Sequence, residues 1–145
     1  MAVTVEALTE IDDEIVEAFG RLLPQLSQTA EQLDREALAR VVSGGATTVL
    51  IARSDGKIVG TLSLVMFPIP SGLRARVEDV VVDDSARGQG IGAALLEEAK
   101  TRAAAAGART LDLTSRASRV AANRLYERLG FRARESQVYR FTPAD

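Results

Sequence analysis

A chain of 145 residues is sized for one domain and is too short for a cofactor domain plus a separate substrate domain. Its 18 basic and 20 acidic side chains leave a formal charge of −2, and with 4% aromatics it lacks the basic, aromatic-interleaved footprint of a nucleic-acid binder. Cysteine and histidine are both absent, which excludes disulfide frameworks, thiolate nucleophiles, Ser-His-Asp triads and nearly every structural zinc site; chemistry must run on carboxylates, tyrosine, serine, arginine or backbone groups, with no metal.

The N-terminal stretch MAVTVEALTEIDDE carries acids and no basic leader-like region, and the most apolar run, IVGTLSLVMFPIP, is broken by Thr61, Ser63 and two prolines. The expectation is a soluble cytoplasmic protein with no membrane contact. A short strand is expected at Thr4 to Leu8. A helix follows from Asp12 or Asp13, either of which can cap it, with Ile15, Val16, Phe19 and Leu22 at helical spacing until Pro24 ends or kinks it. A second helix is expected from Thr29, whose hydroxyl can cap a turn ending at Gln32, through Leu33, Leu38 and Val41 to the Gly44-Gly45 stop.

The period then changes to that of strands. TTVLIAR and KIVGTLSLVMF are apolar and β-branched, and SDGK between them supplies the Asp-Gly of a tight hairpin. PIPSG makes the next turn and RARVEDVVV a third long strand, so three antiparallel strands run in succession. A β-α-β unit follows: a glycine turn, a helix from Gly90 to Ala106, a stop at Gly107 and a strand at RTLDLTS. The strands flanking this helix should be parallel with a right-handed crossover. A last helix from Arg119 to Leu129 stops at Gly130, and QVYRF reads as a terminal strand. The fold class is therefore α+β or α/β, with a mixed, mostly antiparallel sheet in a single domain spanning residues 1–145.

The glycine turn lies between a strand and a helix start, where backbone N–H groups and the helix dipole converge on one point suited to phosphate oxygens. Gly88-Gln89-Gly90-Ile91-Gly92-Ala93 formally fits the dinucleotide signature, with Asp112 near the place of a ribose-binding acid. Yet DDSAR separates strand from glycines, and the chain cannot complete the multi-unit sheet that a nicotinamide-dependent enzyme builds. The Walker pattern fails because no Gly-Lys-Ser/Thr follows.

The stretch VEDVVVDDSARGQGIGAALL, with its Arg87-x-x-Gly90-x-Gly92, resembles the acyl-coenzyme A signature of the GNAT superfamily of N-acetyltransferases, and AANRLYERLGF is similar to that family's second characteristic stretch. The order of elements extends the resemblance over nearly the whole chain. It implies that strands 4 and 5 splay apart to admit the pantetheine arm of acetyl-coenzyme A. The backbone of Arg87, Gly88, Gln89, Gly90, Ile91 and Gly92 would take its pyrophosphate. The strand Val80, Val81 and Val82 would contribute backbone groups, with the Val80 N–H facing the thioester carbonyl, a preorganised donor worth on the order of 3 kcal/mol toward an oxyanion.

Alternation sends the adjacent carboxylates Glu78 and Asp79 to opposite faces, one free to pair with Arg74 or Arg76 and the other to act as general base; the resemblance favours Glu78 as the base. It makes Tyr126 the proton donor to the leaving thiolate. Arg119, Asn123 and Tyr126 share a helical stripe that could face the cofactor, although the family often has asparagine where Arg119 stands. Asp112, Thr114 and Ser115 read as strand polarity and helix capping near the path of an acceptor or the pantetheine. PIPSG and the first two helices would wall the acceptor site. The expected activity is N-acetyl transfer to a primary amine of a small molecule or peptide; the alternative is a non-catalytic acyl-coenzyme A-binding module. The family resemblance also allows a homodimer, whose interface the sequence does not fix.

Overall fold

The computed structural model describes residues 2–27 and 33–144. The chain forms two compact units, Met1–Thr114 and Ser115–Asp145. The first holds a five-stranded sheet in the order β1 (Val3–Ala7), β2 (Thr47–Ser54), β3 (Lys57–Ile69), β4 (Gly72–Val82), β5 (Leu111–Asp112). Every neighbouring pair is antiparallel except β4 and β5, which are parallel, as the β-α-β reading requires. Asp55 and Gly56 both adopt positive φ (50° and 84°), the backbone of the tight turn that Asp-Gly predicts between β2 and β3.

Helix α1 (Asp13–Leu26) begins where the sequence places it: Asp12 caps it, its carboxylate accepting a 2.9 Å hydrogen bond from the Ile15 N–H. Pro24 does not end it. The helix runs on to Leu26, and Pro24 costs it the one bond that its missing N–H would have made to the preceding turn. Helix α2 (Arg35–Ser43) is capped by Asp34, which accepts from the Ala37 N–H at 2.8 Å; the expected start at Thr29 and its turn to Gln32 lie outside the described residues.

The sheet is packed on both faces. On one, α3 (Ile91–Ala105) lies across β3, where Gly60 is indispensable: a Cβ there would sit 2.8 Å from the Ile91 side chain and 3.1 Å from the Val81 carbonyl. Leu50 and Leu62, paired across β2 and β3, and Ile91, Leu95, Leu96 and Ala99 of α3 are all fully buried. On the other face, Ile15, Phe19 and Leu22 of α1 and Leu38 of α2 join Val49, Ile51 and Val81 in a second cluster. Arg53 fastens α1 to the sheet, bonding Glu6 on β1 at 2.8 Å and Glu14 on α1 at 2.9 Å.

Strand β5 is shorter than RTLDLTS suggests. It pairs with β4 only at Ala75↔Leu111 and Arg76↔Asp112, so beyond Arg76 the two strands part and β4 has no β5 partner. The second unit contains α4 (Val120–Arg128), and residues 131–144 are neither helix nor strand, so the terminal strand expected at QVYRF does not form. A strand exists only as one side of a ladder, and alternation in a sequence names no partner. Among the described residues, no helix is long and apolar enough to cross a membrane.

Candidate active site

The glycine turn leaves β4 through a short 3-10 turn (Asp84–Ala86) and opens α3. Gly88 and Gly90 take left-handed φ values of 80° and 78°, a region that costs an L-residue about 1–2 kcal/mol. A Cβ at either position would meet nothing within 4 Å, so packing does not demand these glycines; conformation does, and the space beside them stays open. Gly90 is the N-cap of α3 without any side-chain cap, and no acidic residue stands in the first turn. The helix therefore presents its first amides and the positive end of its dipole uncompensated, which is the electrostatics of an anion site. Gly92 is already helical. Arg87 stands at the surface in a 2.9 Å ion pair with Asp84, and Gln89 accepts a 3.4 Å hydrogen bond from the Ser54 hydroxyl.

Asp83 anchors the turn. Its buried carboxylate receives the Arg21 guanidinium of α1 at 2.6 Å, together with the N–H and hydroxyl of Ser85, both at 3.1 Å. The Ser85 bonds and the Arg21 charge hold its pKa below the usual carboxylate range. Gln25, also on α1, accepts from the Asp84 N–H at 2.9 Å. The departure of the chain from β4 is thus tied to α1, and the sequence gives no signal for it beyond an acidic pair before the glycines.

The carboxylates Glu78 and Asp79 sit at a β-bulge. Ser63 lies opposite Glu78 and Thr61 opposite Val81, so β4 fits one residue more than β3 across this stretch. Asp79 has a φ of 52°, and neither it nor Val80 has a partner in the β3 register. The extra residue corrects the expectation that alternation separates the two carboxylates. Glu78 shares the face of its opposite residue Ser63, and Asp79 lines a cavity together with Ser63 on that same face. Glu78 is exposed and accepts from the Arg76 guanidinium at 3.1 Å, the pairing expected for one of the two. The Asp79 carboxyl is pushed above its ordinary pKa, first by loss of solvent and then by the Glu78 charge.

The cavity, about 80 Å³, lies between α1, α2 and the sheet. Phe19 and Leu23 of α1, Leu33, Leu38 and Val41, and Val49 of β2 make its apolar wall; Thr61, Ser63 and Asp79 are its polar members. The Thr61 hydroxyl is committed to the Leu50 carbonyl at 2.9 Å. Val80, Val81 and Val82 follow on β4, with Val81 buried opposite Thr61 and Val82 opposite Gly60. Arg74 bonds the hydroxyls of Thr110 and Ser71, and Arg76 also donates to the Thr114 hydroxyl at 3.0 Å.

In the second unit, Arg119 is the N-cap of α4 rather than part of its first turn. Asn123 is held from both sides, accepting from the Ser115 hydroxyl at 2.6 Å and donating to the Arg116 carbonyl at 3.0 Å. The ring of Tyr126 packs edge-on against Phe131, centroids 6.2 Å apart, and the Tyr126 carbonyl accepts from the Phe131 N–H. Among the described residues, no group of three or more acidic side chains is placed to hold a metal ion.

Fold and site together define a mixed-sheet protein with an uncapped helix start beyond one strand and a carboxylate-bearing bulge within that strand. Residues 8–131 match the Acetyltransferase (GNAT) family, and the chain belongs to that family. It is 35% identical over 126 residues to a glucosamine 6-phosphate N-acetyltransferase of Trypanosoma brucei brucei, an alignment covering 85% of this chain and 84% of the relative. The crystal structure of a Trypanosoma brucei acetyltransferase superposes with a TM-score of 0.79 at 28% identity, covering 97% of this chain and 100% of that one. That of a ribosomal-protein-alanine N-acetyltransferase from Brucella melitensis biovar Abortus 2308 does so with 0.75 at 27% identity, again covering 97% and 100%. The names of these relatives point to quite different acceptors.

Proposed function

We propose that the protein transfers the acetyl group of acetyl-coenzyme A to a primary amine. The observation that carries the reading is the uncapped start of α3 behind Gly88 and Gly90, on the end of a strand that has parted from β5. These residues fit the donor. Its pyrophosphate needs N–H groups and positive potential, which Gly88 to Gly92 offer with Arg87 beside them, and its pantetheine amides need unpaired backbone, which β4 offers beyond Arg76.

Bound there, acetyl-coenzyme A supplies an activated thioester carbonyl. The chain's own groups do the rest. The Val80 N–H, at the bulge, is the hydrogen-bond donor assigned to the carbonyl oxygen. The Glu78–Asp79 pair, both members on the face of Ser63, takes the proton from the amine, with Asp79 the member that lines the cavity and Glu78 the one steadied by Arg76. A carboxylate with a raised pKa is the better base at neutral pH. Tyr126 keeps the role that the family resemblance gives it, protonation of the leaving thiolate, and Asn123 and Arg119 remain the donor contacts of the second unit.

An amine-dependent release of thiol from acetyl-coenzyme A, with the acetylated product identified by mass, is the test. Turnover with at least one primary amine supports the reading. Tight acetyl-coenzyme A binding with no turnover across alkylamines, amino sugars and peptide N-termini would replace it with a binding module.

A further inference from the structure

The proposal here rests on the acetyltransferase reading and narrows it. We propose that the acceptor is a small primary amine on a short apolar chain, its apolar part seated in the cavity between α1 and α2 and its ammonium group held by Asp79.

The cavity's chemistry selects the class. Phe19, Leu23, Leu38, Val41 and Val49 offer hydrocarbon only, and of the three polar members Thr61 is already committed to Leu50, which leaves Ser63 and Asp79. A polyhydroxylated sugar would bury hydroxyls without partners here, an unfavourable exchange for water. A phosphorylated sugar fares worse. No lysine or arginine lines the cavity among the described residues. A phosphate would meet the Asp79 charge, with Glu78 adjacent and the nearby Arg76 guanidinium already committed to Glu78 and Thr114. An ammonium on an alkyl body meets its complement at both ends, a carboxylate and an apolar wall. The volume, about 80 Å³, suits a short chain: it exceeds the room one water needs by several fold. The bulge brings the charge there, since it carries the Asp79 side chain onto the cavity face at a left-handed φ. This departs from the acceptor in the name of the 35% identical relative, glucosamine 6-phosphate.

The test is a chemical-shift titration of the full-length protein with n-pentylamine, 1-pentanol and glucosamine 6-phosphate, run beside a separate titration with acetyl-coenzyme A. Pentylamine should bind at least tenfold more tightly than glucosamine 6-phosphate. Asp79→Asn should weaken pentylamine at least tenfold and leave 1-pentanol unchanged, a difference that a merely structural role would not produce. Val41→Lys, at a partly exposed position on α2, should weaken both pentyl ligands at least tenfold at an unchanged melting temperature. Tighter binding of glucosamine 6-phosphate, or pentylamine binding indifferent to both substitutions, would overturn the assignment. If acetyl-coenzyme A fails to bind while pentylamine behaves as described, the donor reading falls and the cavity assignment stands; the reverse pattern sinks the cavity assignment alone.

Discussion

The two faces of the central sheet are built to opposite specifications. Under α3 the packing is complete: Ile91, Leu95, Leu96 and Ala99 are at most 1% exposed, and Gly60 is shaved to nothing so that the first turn of α3 can press onto β3. Under α1 and α2 the packing is interrupted by a cavity whose polar members are Thr61, Ser63 and the bulged Asp79. The difference separates two tasks. A helix clamped to the sheet holds its N-terminal amides at a fixed point, whereas the other face keeps room beside a carboxylate.

That division can be broken one side at a time. The largest effect is expected on the open face. Asp79→Asn, which keeps the left-handed backbone that asparagine tolerates, should lower kcat/KM for amine acetylation by about 10²- to 10⁴-fold. In the wild-type protein the base must be ionised, so the rate should fall as pH drops through a pKa that desolvation and Glu78, itself paired to Arg76, raise above the ordinary carboxylate range. Steady-state rates against pH check both statements.

On the closed face, Gly60→Ala should cost about 2 kcal/mol of stability, seen as a lower urea midpoint, because the Ile91 side chain and the Val81 carbonyl cannot both withdraw. A smaller loss is expected at the junction of the two, where Arg21 and Asp83 bind α1 to the end of β4. Asp83→Asn should cost about 1.5 kcal/mol, between the limits for exposed and buried pairs. The pH sign follows from the depressed pKa of Asp83. Its contribution is complete above the unfolded carboxylate pKa of about 3.9 and is lost as pH falls through the lower folded value, so the variant should be less sensitive to acid than the wild type below about pH 4. Thermal melts across that range measure it.

The caps and turns of the framework were legible in the sequence, because local chemistry writes them directly. Asp12 announces a cap, Asp55-Gly56 a turn, and the glycines before AALLEEAK an uncapped helix start. The open face was less legible, for reasons of pairing. Alternation assumes an unbroken ladder, and the extra residue at Asp79 reverses it; the one available hint was the presence of two adjacent acids in a strand otherwise apolar. The reach of β5 and the fate of QVYRF depend on partner edges that no local pattern specifies. Pro24 misled because proline removes one bond to the turn before it and does not by itself forbid the helical residues that follow, here two. The link from Arg21 to Asp83 joins residues far apart in the chain, and only the fold brings them together.

If the glycine turn holds the pyrophosphate of acetyl-coenzyme A, a negative charge placed on it must abolish binding. Calorimetric titration of the protein and of Gly90→Glu with acetyl-coenzyme A, with NADH as the comparison ligand, measures this. A Cβ there would meet no neighbour within 4 Å; the substitution strains the left-handed backbone by about 1–2 kcal/mol and places a negative charge on the N-cap of α3. One-to-one binding of acetyl-coenzyme A to the wild type, none of NADH, and at least a hundredfold loss in Gly90→Glu is the expected result. Undiminished binding by the variant, or binding of NADH in place of acetyl-coenzyme A, would contradict it.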